Sequence, residues 1–403
     1  MSNTSFNTFE DSLSGKKSIL FVMTTMGVGG IQSALRNLVA ELAKIPFLSV
    51  TVLLFDKSTL RENDFSFNVE VIDAGILPQL IPSRTINVLK KSFYLAICRL
   101  IAGFLAKYVS QRWAYKFLFK KTCVNRKWDV AISFGQTSNK SLYGGMNEFV
   151  ADYIDATKKI AFVHCDFVAM GLNHAYSMSV YEKFDKIALV SKSVKKVFDD
   201  AMPLLKSKTC VVYNCHDFDK IQFLAENEPF FYDCREFNFI TVARFSKEKG
   251  LLRILPIIKK LKEEGLVFKW HIIGDGNPKY QKKFFNSLKK LKIADVVICH
   301  GAQYNPYRYM KNADVLLVPS FHEAAPMVFQ EAEFLHLPIL STKTCSAVEL
   351  VRDRKIGVVC ENTDASICKN MRLFVLQSHL NFHSNSSCLN NALAVKQFMD
   401  LIK

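Results

Sequence analysis

The sequence lacks the features that mark several common classes of protein. Its eleven cysteines form no C-x-x-C pair and no regular spacing, which argues against zinc-ribbon and thioredoxin-like sites. Without a disulfide framework, reduced thiols and a cytosolic location are expected. No uncharged apolar run approaches the ~20 residues that a membrane-spanning helix needs. Residues 1–17 are polar rather than cationic and apolar, so we expect a disordered leader and not a signal peptide.

Two further absences narrow the function. The dinucleotide fingerprint G-x-G-x-x-G fails after the first predicted strand, because Gln32 stands where its third glycine belongs. An NAD(P) site is therefore disfavoured, although the glycine turn that ends at Gly30 still allows backbone amides to approach a phosphate. Residues 74–128 contain no Asp or Glu, and they hold eleven of the 53 basic residues that give a net charge of +16. This excess indicates an anionic partner, such as a membrane surface, nucleic acid or a phosphorylated substrate.

Apolar strands alternate with amphipathic helices along most of the chain, which at 403 residues is long enough for two or three domains. The predicted strands of the first half are Ser18–Thr25, Val50–Phe55, Val69–Asp73, Val130–Phe134, Ile160–Val163, Ile187–Val190 and Val211–Tyr213. Those of the second half are Phe239–Val242, Phe268–Ile273, Val296–Cys299, Val315–Val318, Pro338–Leu340 and Gly357–Cys360. The alternation predicts an α/β fold of two Rossmann-like domains, with parallel doubly wound sheets, that face each other across a cleft.

We place the first domain at 18–220 and the second at 221–385, and we predict a short amphipathic helix within 386–403. The Glu-rich and Pro-containing stretch Ala225–Pro229 is a candidate linker between the two domains.

The basic segment 74–128 combines its positive charge with apolar and aromatic residues at helical spacing. Lysines and arginines that flank a broad apolar face are typical of a helix lying on anionic lipid. The predicted membrane contacts are Lys90, Lys91, Arg99, Lys107, Arg112, Lys116, Lys120 and Lys121. A core helix with snorkelling basic side chains is the alternative. Nucleic acid is not favoured as a partner, because the face is rich in Leu, Ile and Phe and no base-reading motif accompanies it.

Several polar motifs follow the predicted strands of the second half. Arg244 and Lys249 come after the first of them, in the run VARFSKEKG, and could neutralise a departing diphosphate. A tight turn that contains Gly274 and Asp275 follows the next strand, in HIIGDG. Glu323 and Glu331 lie beyond a later strand, in SFHEAAPMVFQE, with Pro326 suited to a helix start. Because the carboxyl ends of parallel strands share one edge of a sheet, these side chains should lie together.

Taken in order, these motifs resemble the retaining glycosyltransferases of family 4, which have the GT-B fold. The runs VARFSKEKG, HIIGDG and YMKNADVLLVPSFHEAAPMVFQEAEFLHLPIL carry the likeness in the second half. MGVGGIQ and AFVHCDF carry it in the first half, on the side that binds the acceptor. The resemblance extends from about Ser18 to about Val359.

The resemblance implies a role for each matching residue. Arg244 and Lys249 would bind the diphosphate of a nucleotide-sugar, while Glu323 would meet the hydroxyls of the donor sugar. Glu331 would bind the ribose hydroxyls, and His164 would line the reaction centre near the sugar. Glu323 and His164 are thus the expected catalytic residues.

The remaining donor-binding residues implied by the resemblance are Gly30, Gly274, Asp275 and Ala324. Ala324 departs from the family, which has glycine after the first Glu, and its amide can serve a phosphate only where φ is negative. No cofactor and no metal is expected. The pair Asp217 and Asp219 matches a D-x-D metal motif only superficially, and we interpret it as a capping cluster.

The expected function is a metal-independent hexosyltransferase at the cytosolic membrane face, active in polysaccharide biosynthesis. Its expected partners are a nucleotide-diphosphate sugar, a lipid-linked or cell-surface glycan acceptor and an anionic membrane surface. The alternatives are a soluble transferase with a small-molecule acceptor, and a non-catalytic scaffold that binds membrane or nucleic acid. The first alternative gains if the basic segment is buried.

Overall fold

A computed structural model describes residues 15–62, 64–120, 122, 124, 126–139, 141–142, 144–377, 382 and 389–403. Most of the predicted leader and Lys121 lie outside this described part of the chain. The chain divides into two compact units. Unit 1 comprises Met1–Ser191, Lys195–Cys215 and Asn391–Lys403, and unit 2 comprises Lys192–Val194 and His216–Asn390.

Unit 1 is built on a seven-stranded parallel sheet with strand order β3-β2-β1-β4-β5-β6-β7. Its strands are β1 Lys17–Met23, β2 Leu48–Leu54, β3 Glu70–Asp73, β4 Trp128–Ser133, β5 Ala156–Val163, β6 Lys186–Leu189 and β7 Thr209–Val211. Each predicted strand of the first half is confirmed to within a few residues. The central strands are buried on both faces, which explains why they appear in the sequence as continuous apolar runs.

The helices of unit 1 cover the sheet or extend from it. They are α1 Gly30–Leu42, α2 Thr85–Lys91, α3 Phe93–Phe104, α4 Gln111–Phe119, α5 Met146–Tyr153, α6 Ala175–Tyr181, α7 Lys192–Ala201 and, at the end of the chain, α14 Ala392–Ile402. The first three residues of α7 are assigned to unit 2. A π-helical turn at Leu105–Val109 joins α3 to α4, with Ser110 capping α4. The basic segment is therefore helical over most of its length.

Unit 2 repeats the same topology with six parallel strands in the order β10-β9-β8-β11-β12-β13. The strands are β8 Phe237–Val242, β9 Phe268–Ile273, β10 Val297–Gly301, β11 Val315–Val318, β12 Ile339–Thr342 and β13 Gly357–Cys360. The helices are α8 Phe218–Glu226, α9 Leu251–Glu263, α10 Pro278–Leu291, α11 Tyr307–Met310, α12 Met327–Phe334 and α13 Asp364–Leu376. The prediction of two Rossmann-like halves is confirmed.

Two apolar clusters enclose the sheet of unit 2. One joins α9, α10 and α13 to one side of the sheet, with Trp270 and Phe284 at its centre. The other lies around Phe329 and Leu337. Helices on both faces leave the carboxyl edge of the strands as the place where loops can hold polar side chains.

The observed division of the chain differs from the proposed boundaries. The units change at Cys215 and His216, and the expected linker Ala225–Pro229 begins inside α8, where Ala225 is buried. The C-terminal helix α14 belongs to unit 1, where Lys17 Nζ donates to the carbonyl oxygen of Ile402 at 2.6 Å. The first residues of the expected linker are helical because they continue the apolar face of α8, which composition alone does not reveal.

Candidate functional site

The candidate site of unit 2 lies where its strand order reverses. β8 and β11 are neighbours in the sheet. The strand that follows β8 in the chain is added on one side of this pair, and the strand that follows β11 is added on the other side. The loops that follow two such strands diverge at their carboxyl ends, and this divergence opens a crevice in which doubly wound sheets bind ligands. The loop after β8 carries Arg244 and Lys249, and the loop after β11 carries Glu323.

Lys249 and Glu323 form the centre of this site. Lys249 Nζ lies 2.6 Å from Glu323 Oε1, and the two side chains are only 21% and 11% exposed. The hydroxyl of Ser320 donates to the same carboxylate oxygen at 2.7 Å. An ammonium and a carboxylate are therefore fixed side by side at the edge of the sheet, as the sequence predicts. Lys249 Nζ can donate three hydrogen bonds, so the contact with Glu323 leaves capacity for a ligand oxygen.

Backbone contacts hold the two loops against each other. The amide of Phe321 donates to the carbonyl oxygen of Glu248 at 2.8 Å. Gly250 follows the 3₁₀ turn Lys247–Lys249 with φ at +69°, and a Cβ atom there would lie 2.1 Å from the carbonyl oxygen of Pro319. Only glycine permits both this conformation and this approach. Gly250 is thus the residue that lets Lys249 reach Glu323.

Arg244 stands at the rim of the same crevice. Its side chain is 66% exposed, and its guanidinium has a long contact of 3.7 Å with Glu248 Oε1. Glu248 in turn accepts a hydrogen bond from the hydroxyl of Ser246 at 2.6 Å. An exposed guanidinium and a fixed ammonium on the same loop provide two cations that can face one anionic ligand.

Glu331 lies within α12, whereas Glu323 lies in the loop before that helix. Desolvation raises the pKa of Glu331 to about 7, and the hydroxyl of Tyr307, which donates to Oε1 at 3.3 Å, partly opposes that rise. Helix α12 begins at Met327 with Pro326 in the capping position, one residue later than predicted. Ala324, in the loop before it, is buried. A partly buried carboxyl with a tyrosine partner suits recognition of ligand hydroxyl groups.

Gly274 and Asp275 form the turn that follows β9. Gly274 has φ at +146°, and a Cβ atom there would lie 2.0 Å from the carbonyl oxygen of Ala243. Asp275 Oδ1 accepts hydrogen bonds from the amide of Gly276 and from Gln281 Nε2, both at 2.7 Å. These contacts give both residues a role in shaping the turn. Their part in donor binding stays a prediction.

Gly30 is the first residue of α1 in unit 1, at the carboxyl end of β1. The loop before it is held by Arg36, which donates to the carbonyl oxygen of Met26 at 2.5 Å and pairs with Asp64 at 2.7 Å. Strands β1 and β4 mark the reversal of strand order in this sheet, so the loop lies at the switch point of unit 1. The phosphate contact of Gly30 stays a prediction.

His164 follows β5 directly and lies among aromatic rings. Its ring centroid is 4.5 Å from that of Phe134 and 5.7 Å from that of Phe162. Burial lowers the pKa of His164 to about 3, so the imidazole is neutral at physiological pH. Within the described part of the chain, its buried Nε2 has no hydrogen-bond partner. A neutral ring at a strand end can therefore exchange a hydrogen bond with a ligand without carrying charge.

The basic segment exposes large apolar side chains in place of burying them. Helix α3 packs onto unit 1 through small residues, namely Ala96, Cys98 and Ala102. The opposite face forms what we call the α3 stripe, whose exposed members are Phe93, Tyr94, Ile97, Leu100, Ile101, Phe104 and Tyr108. Phe93 and Tyr94 are each 72% exposed. A contiguous exposed apolar surface of this kind marks a site of interaction with a membrane or a partner.

Six of the predicted membrane contacts are exposed cations of the same basic segment. They are Lys90, Lys91, Lys107, Arg112, Lys116 and Lys120. Arg99 differs, because it is half-buried and its Nε donates to the carbonyl oxygen of Ser83 at 3.1 Å, which favours a structural role. Lys121 lies outside the described residues.

Helix α4 buries part of the apolar face that the sequence predicts to be exposed on the basic segment. Tyr115 and Phe119 do not extend the α3 stripe but belong to the core of unit 1, where Phe119 contacts Phe55 and Phe149. Trp113 remains exposed, with Lys116 Nζ 5.1 Å from its ring centroid. The alternative of a wholly buried segment therefore holds for most of α4 and not for α3.

Sequence reasoning did not select Gly250, Ser320 or Tyr307. The motif SFHE, with Ser three residues before Glu, is the one local signal that could have indicated the Ser320 hydrogen bond. Asp217 caps α8 by accepting from the amide of Lys220 at 3.1 Å, as predicted. Within the described ranges, no group of three or more His, Cys, Asp or Glu side chains is placed to hold a metal ion.

The chain thus contains two Rossmann-like α/β units, and one of them has a paired lysine and glutamate at its switch point, where doubly wound sheets bind ligands. Residues 229–381, which lie in unit 2, match the family model of group 1 glycosyl transferases. The matched stretch contains Arg244, Lys249, Glu323 and Glu331.

Curated relatives match over part of their length. An uncharacterised glycosyltransferase of Methanocaldococcus jannaschii is 31% identical over 167 residues, which are 40% of each chain. The putative colanic acid biosynthesis glycosyltransferase WcaL of Escherichia coli is 30% identical over 146 residues, which are 34% of this chain and 35% of its own. The chain thus spans about a third to two fifths of the length of these relatives.

The solved structures match over nearly the whole chain. Anabaena HepE, solved with UDP and glucose, has a TM-score of 0.65, with 96% of this chain and 98% of its own covered at 16% identity. At that identity the likeness shows the fold alone, and the fold is the predicted GT-B fold with two Rossmann-like domains.

Among the described helices, none is both long and apolar enough to cross a membrane.

Proposed function

We propose that this protein is a retaining glycosyltransferase. It moves a hexose from a nucleotide-diphosphate sugar to a lipid-linked or cell-surface glycan acceptor at the cytosolic membrane face. The observation that carries the proposal is the contact of Lys249 with Glu323, 2.6 Å long, at the switch point of a unit that matches the group 1 glycosyl transferases.

The two cations of the site suit the leaving group of such a transfer. When the bond between the sugar and the phosphate breaks, negative charge develops on the departing diphosphate. Arg244 and Lys249 stabilise that charge without a metal ion, because preorganised cations at the leaving group lower the barrier to its departure. Gly250 fixes Lys249 in place before the donor arrives.

The carboxyl groups of the site suit the sugar and the nucleoside. Positive charge develops on the anomeric carbon in the transition state, and Glu323 beside the sugar stabilises it while orienting the sugar hydroxyls. Glu331 accepts hydrogen bonds from the ribose hydroxyls. The family resemblance assigns His164 a part in the reaction, and its neutral imidazole can hydrogen-bond a sugar hydroxyl.

The α3 stripe supports the membrane part of the proposal. Exposed apolar side chains, with exposed lysines and an arginine in the same segment, are typical of an interfacial helix on anionic lipid. A protein held there meets an acceptor that is anchored in the same membrane. The name of the Escherichia coli relative, which refers to colanic acid biosynthesis, points to the assembly of a surface polysaccharide.

A transfer assay tests this function. The purified protein is given radiolabelled UDP-, GDP- and ADP-sugars together with a membrane lipid extract. We expect one donor to label the lipid-linked glycan fraction, with EDTA having little effect and the product keeping the anomeric configuration of the donor. Failure of every donor, or strict dependence on added Mn²⁺ or Mg²⁺, would contradict the proposal.

The acceptor class is tested in the same assay. Transfer to free sugars that is as fast as transfer to the lipid extract would favour a soluble enzyme with a small-molecule acceptor. Membrane binding without transfer from any donor would favour the non-catalytic scaffold.

A further inference from the structure

Unit 2 carries a lysine-rich helix that the proposed site does not use. Helix α10 runs from Pro278 to Leu291 after the Asn277 cap, and Phe284 and Leu288 bury one side of it. The opposite side carries exposed residues at spacings of three, four, seven and eleven, which place them on one face of a helix. This α10 face consists of Lys279, Lys282, Lys283, Asn286 and Lys290.

The charges of the α10 face are not neutralised by carboxylates. Residues 276–294 contain no Asp or Glu. Among the described residues, no carboxylate lies within 4.0 Å of the four lysines of this face. Other lysines of unit 2 are paired: Lys259 with Glu263, Lys262 with Asp295 and Lys311 with Glu226. The α10 face is thus a concentrated patch of unpaired positive charge.

The stability of the helix does not explain where these lysines lie. The helix dipole favours cations in the last turn and disfavours them in the first. Lys290 lies near the end of α10, where a cation is favourable. Lys279 lies in the first turn, which has no acidic residue, and Lys282 and Lys283 lie in the second. A role outside the helix accounts for them better.

We infer that the α10 face is a second contact with an anionic lipid surface, separate from the α3 stripe. Its cations are all lysines, whose compact charges on flexible stems suit the diffuse field of lipid headgroups. Arginine would instead suit bidentate recognition of a defined phosphate. Phe285, exposed beside the face, provides a shallow apolar contact of the kind that interfacial helices use. The inference extends the proposed membrane association and does not depend on the transfer chemistry.

Vesicle sedimentation with the full chain tests the α10 face. The vesicles contain phosphatidylglycerol and phosphatidylcholine in equal parts, with pure phosphatidylcholine for comparison. The triple variant Lys279→Gln, Lys282→Gln, Lys283→Gln should bind the anionic vesicles roughly tenfold or more weakly than the parent. Its Tm should be unchanged or higher, because a cation has left the first turn.

The matched control removes the same charge from paired lysines of the same unit. The variant Lys259→Gln, Lys262→Gln, Lys311→Gln should lose no more than about twofold in vesicle affinity, because those charges are already compensated. An equal loss in both variants, or no loss in the first, would overturn the inference. Weaker binding to soluble polygalacturonate with unchanged vesicle binding would also overturn it, in favour of an acidic glycan partner. If vesicle binding behaves as expected while hexose transfer fails, the proposed function falls and this contact stands.

Discussion

Replacing Lys249 with alanine perturbs the centre of the site in two measurable ways. It removes the ammonium that lies 2.6 Å from Glu323, and it leaves a carboxylate that is only 11% exposed with Ser320 as its remaining partner. Loss of one preorganised charge at the leaving group costs about 3 kcal/mol of transition-state stabilisation, or roughly a hundredfold in kcat. An unpaired and partly buried carboxylate costs about 1–3 kcal/mol of folding free energy.

The assay combines turnover at saturating donor with urea unfolding of the same preparations. Lys247→Ala is the matched control, since Lys247 lies in the same 3₁₀ turn with an exposed side chain. This control should keep parental turnover and stability to within about twofold and 0.5 kcal/mol, as is usual for exposed positions.

A double-mutant cycle separates the ion pair from its surroundings. Glu323→Gln in the Lys249→Ala background should cost less stability than in the parent, because the unpaired carboxylate is gone. We expect a coupling energy of about 1–3 kcal/mol. Turnover of Lys249→Ala within a few-fold of the parent, or additive stability effects, would refute the reasoning.

Three further predictions follow from the geometry. Desolvation raises the pKa of Glu331 to about 7 from an ordinary 4.5. Between these two pH values the folded state holds a proton that the unfolded state releases. The free energy of unfolding should therefore fall as pH rises from about 4.5 to 7. Glu331→Gln should flatten that part of the Tm–pH profile, and an unchanged slope would contradict the assignment. Burial and the adjacent His300, whose Nε2 lies 3.0 Å from His271 Nδ1, lower the pKa of His271 to about 4. The unfolded state therefore binds a proton first, and stability should fall as pH drops from about 6.5 to 4. His271→Phe should lessen this fall, and an unchanged slope would contradict the role of His271. Changing Phe93, Leu100 and Phe104 of the α3 stripe to Asn should release the protein from anionic vesicles. The Tm should not fall, because these side chains are exposed. A destabilised variant would show that the stripe packs against the protein instead.

Local apolar runs were sufficient to predict the central strands of both sheets, because a parallel strand covered on both faces must be apolar throughout. The proximity of Lys249 and Glu323 was predictable for a related reason. Arg244, Lys249 and Glu323 each follow a strand, and the carboxyl ends of parallel strands meet at one edge. The strand order decides which strand ends lie next to each other. The order of the motifs, which resembles that of the family, indicated that strand order.

The rest depended on contacts between distant parts of the chain. The periodicity of α3 and α4 is alike, yet α3 exposes its large side chains. Helix α4 instead buries Tyr115, which stacks on Phe119, and Phe119, which contacts Phe149. Helical spacing defines a face but not what covers it. Likewise, the contact of Lys17 with Ile402 joins residues at opposite ends of the chain, so the sequence could not assign α14 to unit 1. The approach of Gly250 to Pro319 was hidden in the same way.

Donor-dependent thermal stabilisation tests the central claim most directly. The parent, Lys249→Ala and Lys247→Ala proteins are heated with UDP-, GDP- and ADP-sugars, since a ligand that binds only the folded state raises Tm in proportion to the logarithm of its concentration over Kd. The account predicts that sugars of one nucleotide raise the Tm of the parent and of Lys247→Ala. The same donor should have a much weaker effect on Lys249→Ala. No shift with any nucleotide-sugar at millimolar concentration, or an equal shift in all three proteins, would contradict it.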